Sequence, residues 1–420
     1  MDLEMSKNSF SKRQTMSISQ LAKSIPASPT LALNDTARIL KEKGEAVIHL
    51  GGGEPKSKAP LDAILAASAK LNTAEIKYTP TEGIPALRKA VVRYTEENYD
   101  HLVSPQNIII SNGAKQSLSV LLLSIIDPQD EVIVLAPYWV SYPEMIKLAY
   151  GKPVIVTPED GRFEPRMADI TQAVGSYTKA IIVNSPSNPS GAMYSKTLIA
   201  ELVTYCEKKD IYLIMDDIYH KLVFDGESWT SPYQFAKVND EKSKLIIVNG
   251  VSKAYAMTGF RIGWTIANPR LIEAMVNIQA QTTSCASGLL QVAAVGALTG
   301  VQSGVESLRT TLQNNRDIMI RELRTMEGVR VEKPGGTFYC FPDFSAYEKS
   351  AAKLSKLLLD KVRVVTVPGN EFGMDGHLRL SYCGSIKDIK EGVERIKWAL
   401  DPNAPNEIYI GDRKMMRDWS

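Results

Sequence analysis

The sequence predicts an α/β fold built on a mostly parallel sheet flanked by helices, with a smaller α+β domain after it. Three observations lead there. Through the middle of the chain, short β-branched runs alternate with longer helical patterns, as expected of parallel strands joined by covering helices. After about Val301 that alternation gives way to a long, charged, amphipathic stretch and a different mixture of elements. The chain also has 420 residues, 44% of them hydrophobic and 23% charged, which is enough for a large core and a second, smaller one.

Taken in order, residues 1–58 form an N-terminal segment expected to pack with the smaller domain. Its start, MDLEMSKNSFSKRQTM, is polar and lacks the apolar run of a signal peptide. Residues 59–303 form the expected large domain. Strand-like runs fall at 107–111, 131–136, 153–156, 180–184, 211–215 and 245–248, with helical patterns at 115–126 and 198–209 between some of them. The runs are continuously apolar, so both faces of the sheet should be covered. Residues 304–400 form the expected α+β domain. It opens on an amphipathic helix at 304–326 and continues with strand-like runs at 329–332, 337–341, 362–367 and 378–382 and helices at 351–360 and 386–400. The tail 401–420, with Pro402 and Pro405, is expected to be an extended arm.

Composition narrows the function classes. With 49 basic and 47 acidic residues the net charge is +2, so there is no basic excess to suggest a nucleic-acid or membrane-surface partner. The longest apolar stretch, 118–126, is too short to span a bilayer and carries serines. Cys206, Cys285, Cys340 and Cys383 have no paired spacing. A reduced, cytoplasmic protein without a zinc site or disulfide framework is the expectation.

Four clusters sit where strands are expected to end, and ligands of such sheets bind beyond the carboxyl ends of the strands. Ser111-Asn112-Gly113-Ala114-Lys115 closes a strand and opens a helix. Free backbone N–H groups and a partial positive charge at such a turn suit a phosphate, although most such glycines only make a tight connection. Asn184-Ser185-Pro186-Ser187-Asn188-Pro189 is a rigid loop that could aim the Asn188 side chain at a ligand. Asp216-Asp217-Ile218-Tyr219 puts a carboxylate at a buried strand end, where it needs a cation or strong donors. Ser252-Lys253-Ala254-Tyr255 follows an apolar strand directly, a poor place for a solvated lysine.

Together these clusters resemble the signature set of the class I, fold type I, pyridoxal phosphate (PLP)-dependent aminotransferases. The resemblance runs in order through Ser28-Pro29-Thr30, Gly53-Glu54-Pro55, Lys77-Tyr78-Thr79-Pro80, Pro137-Tyr138-Trp139-Val140-Ser141-Tyr142-Pro143 and His377-Leu378-Arg379-Leu380-Ser381. It covers essentially residues 18–400 and is far more specific as a set than any one motif.

The resemblance implies Lys253 as the lysine that carries the cofactor in Schiff-base linkage and shuttles a proton. It implies Asp216 as the partner of the pyridine nitrogen, with Asn188 and Tyr219 bonding the ring's phenolic oxygen and Trp139 stacking on the ring. Gly113, Ala114, Lys115, Ser252 and Arg261 match the phosphate cradle. Gly250 departs from the pattern, because many relatives have a further phosphate-binding serine there. Tyr78 matches a tyrosine that reaches the phosphate in a neighbouring subunit, implying a homodimer with shared active sites.

For the substrate, Arg379 matches the arginine that grips the α-carboxylate by a two-pronged bond, with the Gly53 backbone as a second donor. Trp139 and Asn188 also line that site in the family. The similarity is to the prokaryotic aspartate aminotransferase subgroup, in which residues matching Lys115 and Thr30 contact the distal carboxylate. Transamination between aspartate and 2-oxoglutarate is therefore the expected reaction, with amino acids and 2-oxo acids as substrates. Alternatives are a prephenate or aromatic amino acid aminotransferase and a PLP-dependent lyase on the same fold. A non-catalytic PLP-binding regulator is disfavoured, because little sequence precedes the matched motifs and the charge balance gives no DNA footprint.

Overall fold

The computed structural model describes residues 18–26, 29–237, 243–410 and 413–417, with the side chains of residues 29–31, 160, 410 and 413 outside that description. Seven strands form the main sheet. They are β1 (Ile108–Ser111), β2 (Glu131–Leu135), β3 (Lys152–Val156), β4 (Thr178–Val183), β5 (Tyr212–Asp216), β6 (Leu245–Gly250) and β7 (Gly263–Ile266). Their spatial order is β1-β7-β6-β5-β4-β2-β3. The pairs from β6 through β5, β4 and β2 to β3 are parallel, whereas β7 runs antiparallel to both its neighbours. The sheet is thus mixed and mostly parallel.

The apolar runs are continuous because both faces of these strands are covered. Ile108, Ile110, Ile133, Leu135, Ile181, Val183, Leu213, Met215 and Ile247 turn to one face, into a core shared with helices Pro85–Tyr99, Lys196–Lys209 and Gly288–Thr299. Their neighbours Ile109, Val132, Val134, Ala180, Ile182, Ile214, Ile246 and Val248 turn to the other, against helices Ala114–Ile125, Ser141–Leu148 and Pro269–Thr282. The period of two in side-chain direction sorts one apolar run into two cores.

A third core lies in the C-terminal part of the chain. Helices Ser303–Leu323, Ala351–Val362 and Ile386–Leu400 pack around β8 (Tyr339–Cys340) and β11 (Leu378–Ser381), together with Ile48 and Leu50 from the N-terminal segment. Two shorter strands, β9 (Val364–Val365) and β10 (Val367–Pro368), complete this layer. Ile48 and His49 pair in parallel with Val364 and Val365, which ties the segment before residue 58 to this layer. Arg316, fully buried in its helix, makes a two-pronged pair with Asp225 at 2.9 and 2.7 Å.

Several elements differ from expectation. β7 is missing from the sequence reading because its four residues follow the Lys253 motif after only a single 3-10 turn, Thr258–Phe260, with no α-helix between. Residues 329–332 form no strand, only one isolated antiparallel bridge, from Arg330 to Asp343. In the described part of the tail, Glu407–Ile410 pairs antiparallel with Arg413–Met416, where an extended arm was expected. The Trp398 indole donates to the Pro405 carbonyl at 2.8 Å, and the Arg417 guanidinium donates to the Asp401 carbonyl at 2.6 Å. Among the described residues, no single helix is long and apolar enough to cross a membrane.

Candidate active site

The parallel strands deliver their carboxyl ends to one edge of the sheet, where the C-terminal layer meets it. β5 ends on Asp216, whose side chain is buried. The Tyr142 hydroxyl donates to its Oδ2 at 2.7 Å, while its Oδ1 is buried without a hydrogen-bond partner. Burial pushes this carboxyl up to about 6, and the Tyr142 bond, the Ile218 amide and the Lys253 charge work against that rise. The Asn184 side chain donates to the Asp216 carbonyl at 2.7 Å and accepts from the Asn188 amide at 2.8 Å. One asparagine therefore locks the loop after β4 to the end of β5.

Lys253 lies three residues past β6, and its Nζ donates to the Gly53 carbonyl at 2.8 Å. Burial brings its amine down to about 8, partly offset by the Glu54 carboxylate and reinforced by Arg379. A lysine so placed is substantially neutral near pH 8, as a nucleophile and proton carrier must be.

Arg379, in β11, is buried and held on three sides. Its Nη1 donates to Asn188 Oδ1 at 3.0 Å and its Nη2 to the Gly51 carbonyl at 2.9 Å. The guanidinium carbon sits 4.3 Å from the centroid of the Tyr339 ring and 5.1 Å from that of Phe372. Its hydrogen bonds go to neutral oxygens, and no carboxylate pairs with it among the described residues. A buried arginine bonded only to neutral oxygens is poised for an anionic ligand.

The turn after β1 places Gly113 as the cap of helix Ala114–Ile125, with no side chain capping the first-turn amides. Gly113 has a φ of +82°, and a Cβ there would come within 2.7 Å of an Arg261 nitrogen. Only glycine lets the turn and the guanidinium approach so closely. Arg261 donates to the Thr258 carbonyl at 3.0 Å and has no acidic partner among the described residues. Uncapped amides beside an arginine without a carboxylate make an anion cradle. Gly250 is accounted for by packing: a Cβ there would lie 2.8 Å from the Ile262 carbonyl and 3.0 Å from the Gly263 Cα. The close approach of β7 leaves no room for the serine found in relatives.

Trp139 is half-buried, packed edge-on against Tyr142 at 5.3 Å, and Lys115 Nζ sits 4.8 Å from the centroid of its ring. Burial, with help from Arg261, lowers the Lys115 amine. Tyr219 is buried beside Tyr339, Arg379 and Asp216, all of which perturb its phenol, and burial raises that phenol well above its ordinary value. Ser252 is buried next to Lys253.

These contacts draw Lys253, Asp216, Tyr219, Asn188, Arg379 and Gly53 into one network, with the Gly113–Arg261 turn and the Lys115–Trp139 pair built as two further units. Tyr78 is not drawn in, being 92% exposed. The Thr30 side chain lies outside the described residues, although its backbone belongs to helix Pro29–Glu42. Sequence reasoning missed Tyr142, Asn184 and Tyr339. Tyr142 and Asn184 stood inside motifs already singled out, whereas Tyr339 read only as part of an apolar strand.

The residues fit pyridoxal phosphate on three structural grounds. The orphaned Asp216 Oδ1 offers a place for a cationic ring N–H, the glycine turn beside Arg261 offers one for a phosphate, and Lys253 offers an amine of lowered basicity.

Comparison with known proteins agrees. The family model described as aminotransferase class I and II matches residues 45–396. An aspartate aminotransferase of Bacillus subtilis is 36% identical over 389 residues, covering 91% of this chain and 98% of its own length. An aspartate/prephenate aminotransferase of Nitrosomonas europaea is 36% identical over 395 residues, covering 91% of this chain and 99% of its own. The solved aspartate aminotransferase from Thermus thermophilus with maleate matches with a TM-score of 0.86 at 35% identity, covering 91% of this chain and 99% of that one.

Proposed function

Because the chain belongs to the class I and II aminotransferases, we propose that it moves the amino group of aspartate to 2-oxoglutarate, using the residues assembled at the strand ends. The family depends on pyridoxal 5′-phosphate, and this chain is an aminotransferase of that kind. When bound, the cofactor supplies a carbon that accepts the amine and a cationic ring that takes up the electron pair released at the substrate α-carbon.

In this reading the Gly113–Ala114–Lys115 turn, Ser252 and Arg261 hold the phosphate. Trp139 covers one face of the ring with its flat apolar surface. The Asp216 carboxylate, braced by Tyr142, keeps the ring nitrogen protonated. Asn188 and Tyr219 hold the ring's phenolic oxygen. Arg379 fixes the substrate α-carboxylate with its two terminal nitrogens, helped by the backbone at Gly53, and thereby sets the orientation of the α-carbon. The Lys253 amine, once free, would be the group that takes the proton from that carbon and carries it onward.

The observation that carries the choice of aspartate is a further cation without an acidic partner, beyond Arg379 and Arg261. Lys115 sits against Trp139, partly desolvated, with no carboxylate among the described residues paired to it. A substrate carrying a second carboxylate supplies the missing charge, whereas an apolar side chain leaves the cation unmatched. Thr30 is proposed as a second contact to that carboxylate. Lys115→Ala should raise KM for aspartate by about tenfold to a hundredfold, for a loss of about 1.5–3 kcal/mol, and leave KM for phenylalanine within about threefold. Half-reaction rates with aspartate, phenylalanine and prephenate check the choice. Slower turnover of aspartate than of phenylalanine or prephenate defeats it in favour of a prephenate or aromatic donor, the reading favoured by relatives named aspartate/prephenate aminotransferases. Release of pyruvate and ammonia without a keto-acid acceptor would point to a lyase instead.

A homodimer with shared sites is the second part of the reading. Leu61, Leu65, Leu71, Ile76 and Tyr78 all leave large apolar or aromatic side chains in solvent, which favours a partner surface on this stretch. Tyr78 would then complete the phosphate cradle of the other copy. Sedimentation should give twice the chain mass of 46.3 kDa, and Tyr78→Phe should weaken PLP retention without splitting the dimer. A fully active species at the single-chain mass overturns this part. A reduced cytoplasmic setting completes the proposal, supported by four free cysteines.

A further inference from the structure

Tyr339 belongs to no motif that the sequence singles out, yet it touches both halves of the site. Its ring is almost fully buried on β8, and the Arg379 guanidinium lies over it at 4.3 Å, with Phe372 on another side at 5.1 Å. The Tyr219 ring packs edge-on against that of Tyr339, centroids 6.1 Å apart at 79°, and Tyr219 is the donor of the two phenols. The Tyr339 hydroxyl lies under the loop that carries Gly53, because a Cβ at Gly53 would be 3.2 Å from it. Gly53 in turn accepts from Lys253 Nζ.

We propose that Tyr339 is a positioning residue that couples the carboxylate clamp to the cofactor's phenolic oxygen, its ring backing Arg379 and its hydroxyl backing Tyr219. The inference rests on the aminotransferase reading above and adds to it a residue with two separable duties.

The physical argument treats the two ends of the side chain separately. An arginine bonded through Nη1 and Nη2 can still swing about its stem, and its Nε is buried without a partner. A ring on its face removes that freedom and contributes cation–π attraction in a desolvated place, about 0.5–2 kcal/mol. At the other end, a Tyr219 hydroxyl that donates to the phenolic oxygen needs a donor to its own oxygen. In the cofactor-free chain Tyr219 is the donor of this pair. Once its proton turns to the phenolic oxygen, the Tyr339 hydroxyl is the group placed to donate in return and to strengthen the Tyr219 bond by polarising it. The charged or titratable groups around the pair are Arg379 and Asp216 with Glu54 and Cys383, and the test leaves all four unchanged.

The test uses the full chain loaded with PLP and two substitutions. Tyr339→Phe keeps the ring and removes the hydroxyl. The affinity for succinate, an unreactive dicarboxylate, should stay within about twofold by calorimetry. The pH midpoint of the lysine-linked cofactor's visible absorbance should move upward by roughly half a unit, because the phenolic oxygen loses support and holds the neighbouring proton more tightly. Tyr339→Leu removes the face as well. The succinate Kd and the KM for aspartate should then rise about tenfold, with a smaller change in kcat. A Phe variant whose absorbance titration superimposes on that of the wild type overturns the hydroxyl coupling. A Leu variant that binds succinate as tightly as the wild type overturns the clamp. If the Leu variant does not fold, the Phe variant alone decides, since it is nearly isosteric. Failure of the underlying reading looks different: the wild-type chain would then show no visible absorbance with PLP.

Discussion

Lys253→Ala is expected to abolish transamination, with kcat falling by about 10⁴-fold or more, while the chain remains folded. The magnitude follows from the two roles proposed for it, covalent attachment of the cofactor and transfer of the substrate α-proton, each worth orders of magnitude. Folding should survive because the Nζ makes one backbone hydrogen bond and carries a desolvation penalty that the alanine removes. The checks are a half-reaction with glutamate, which should discharge the visible absorbance of the wild-type protein and not that of the variant, and a circular-dichroism melt. A variant retaining a tenth of wild-type turnover would exclude Lys253 as the reacting amine.

The lowered basicity of Lys253 gives this prediction a pH axis. Its amine titrates at about 8 in the cofactor-free chain, below the ordinary lysine value of 10.5. The neutral, nucleophilic form is therefore scarce at pH 6 and dominant by pH 9. The rate of PLP capture should rise through a midpoint near 8 rather than continue rising past 10. Asp216, pushed up to about 6, adds a second rise at lower pH as it becomes the anion that attracts the ring nitrogen. Stopped-flow absorbance between pH 5 and 10 separates the two steps.

The sheet and the strand-end clusters were legible because they rest on local patterns. β4, β5 and β6 each contain an unbroken run of Ile, Val, Leu or Met, and such runs read as strands buried on both faces. The chemistry-bearing residues then fell at strand ends, where this architecture binds ligands. The contacts that discipline those residues were not legible. Tyr142 lies 74 positions from Asp216 and Gly51 lies 328 from Arg379, and no local period records such pairings. Tyr339 was invisible for a related reason: a tyrosine in an apolar strand looks like core until its hydroxyl finds a partner from another layer. Gly250 shows the converse. Its departure from the family pattern was visible in the sequence, but the reason, the close approach of Ile262 and of Gly263 at the start of β7, needed coordinates because β7 itself was not foreseen.

Asp216→Asn should be the second most damaging change, and it separates catalysis from binding. The substitution keeps the shape, and the amide oxygen can still accept from Tyr142, but the negative charge is gone. With no anion to hold the ring nitrogen protonated, the electron pair released at the α-carbon loses its sink, and kcat should fall roughly 10³-fold. The cofactor should stay bound, because Lys253 and the Gly113–Arg261 cradle are untouched. Stability argues for the same role. The folded carboxyl titrates at about 6 against an ordinary value of 3.8, so it favours folding only while protonated, and that contribution is lost as pH rises through 6. Above that pH the ionised form costs the cofactor-free chain on the order of 3 kcal/mol, a cost that a neutral amide avoids. The cofactor-free Asp216→Asn chain should therefore melt no lower than wild type at pH 8, and PLP should raise the wild-type melting temperature more than that of the variant. A wild-type carboxylate that destabilises the empty chain and is relieved by PLP is a group held in place for a cation. A variant that turns over within tenfold of wild type would leave that charge without a catalytic role.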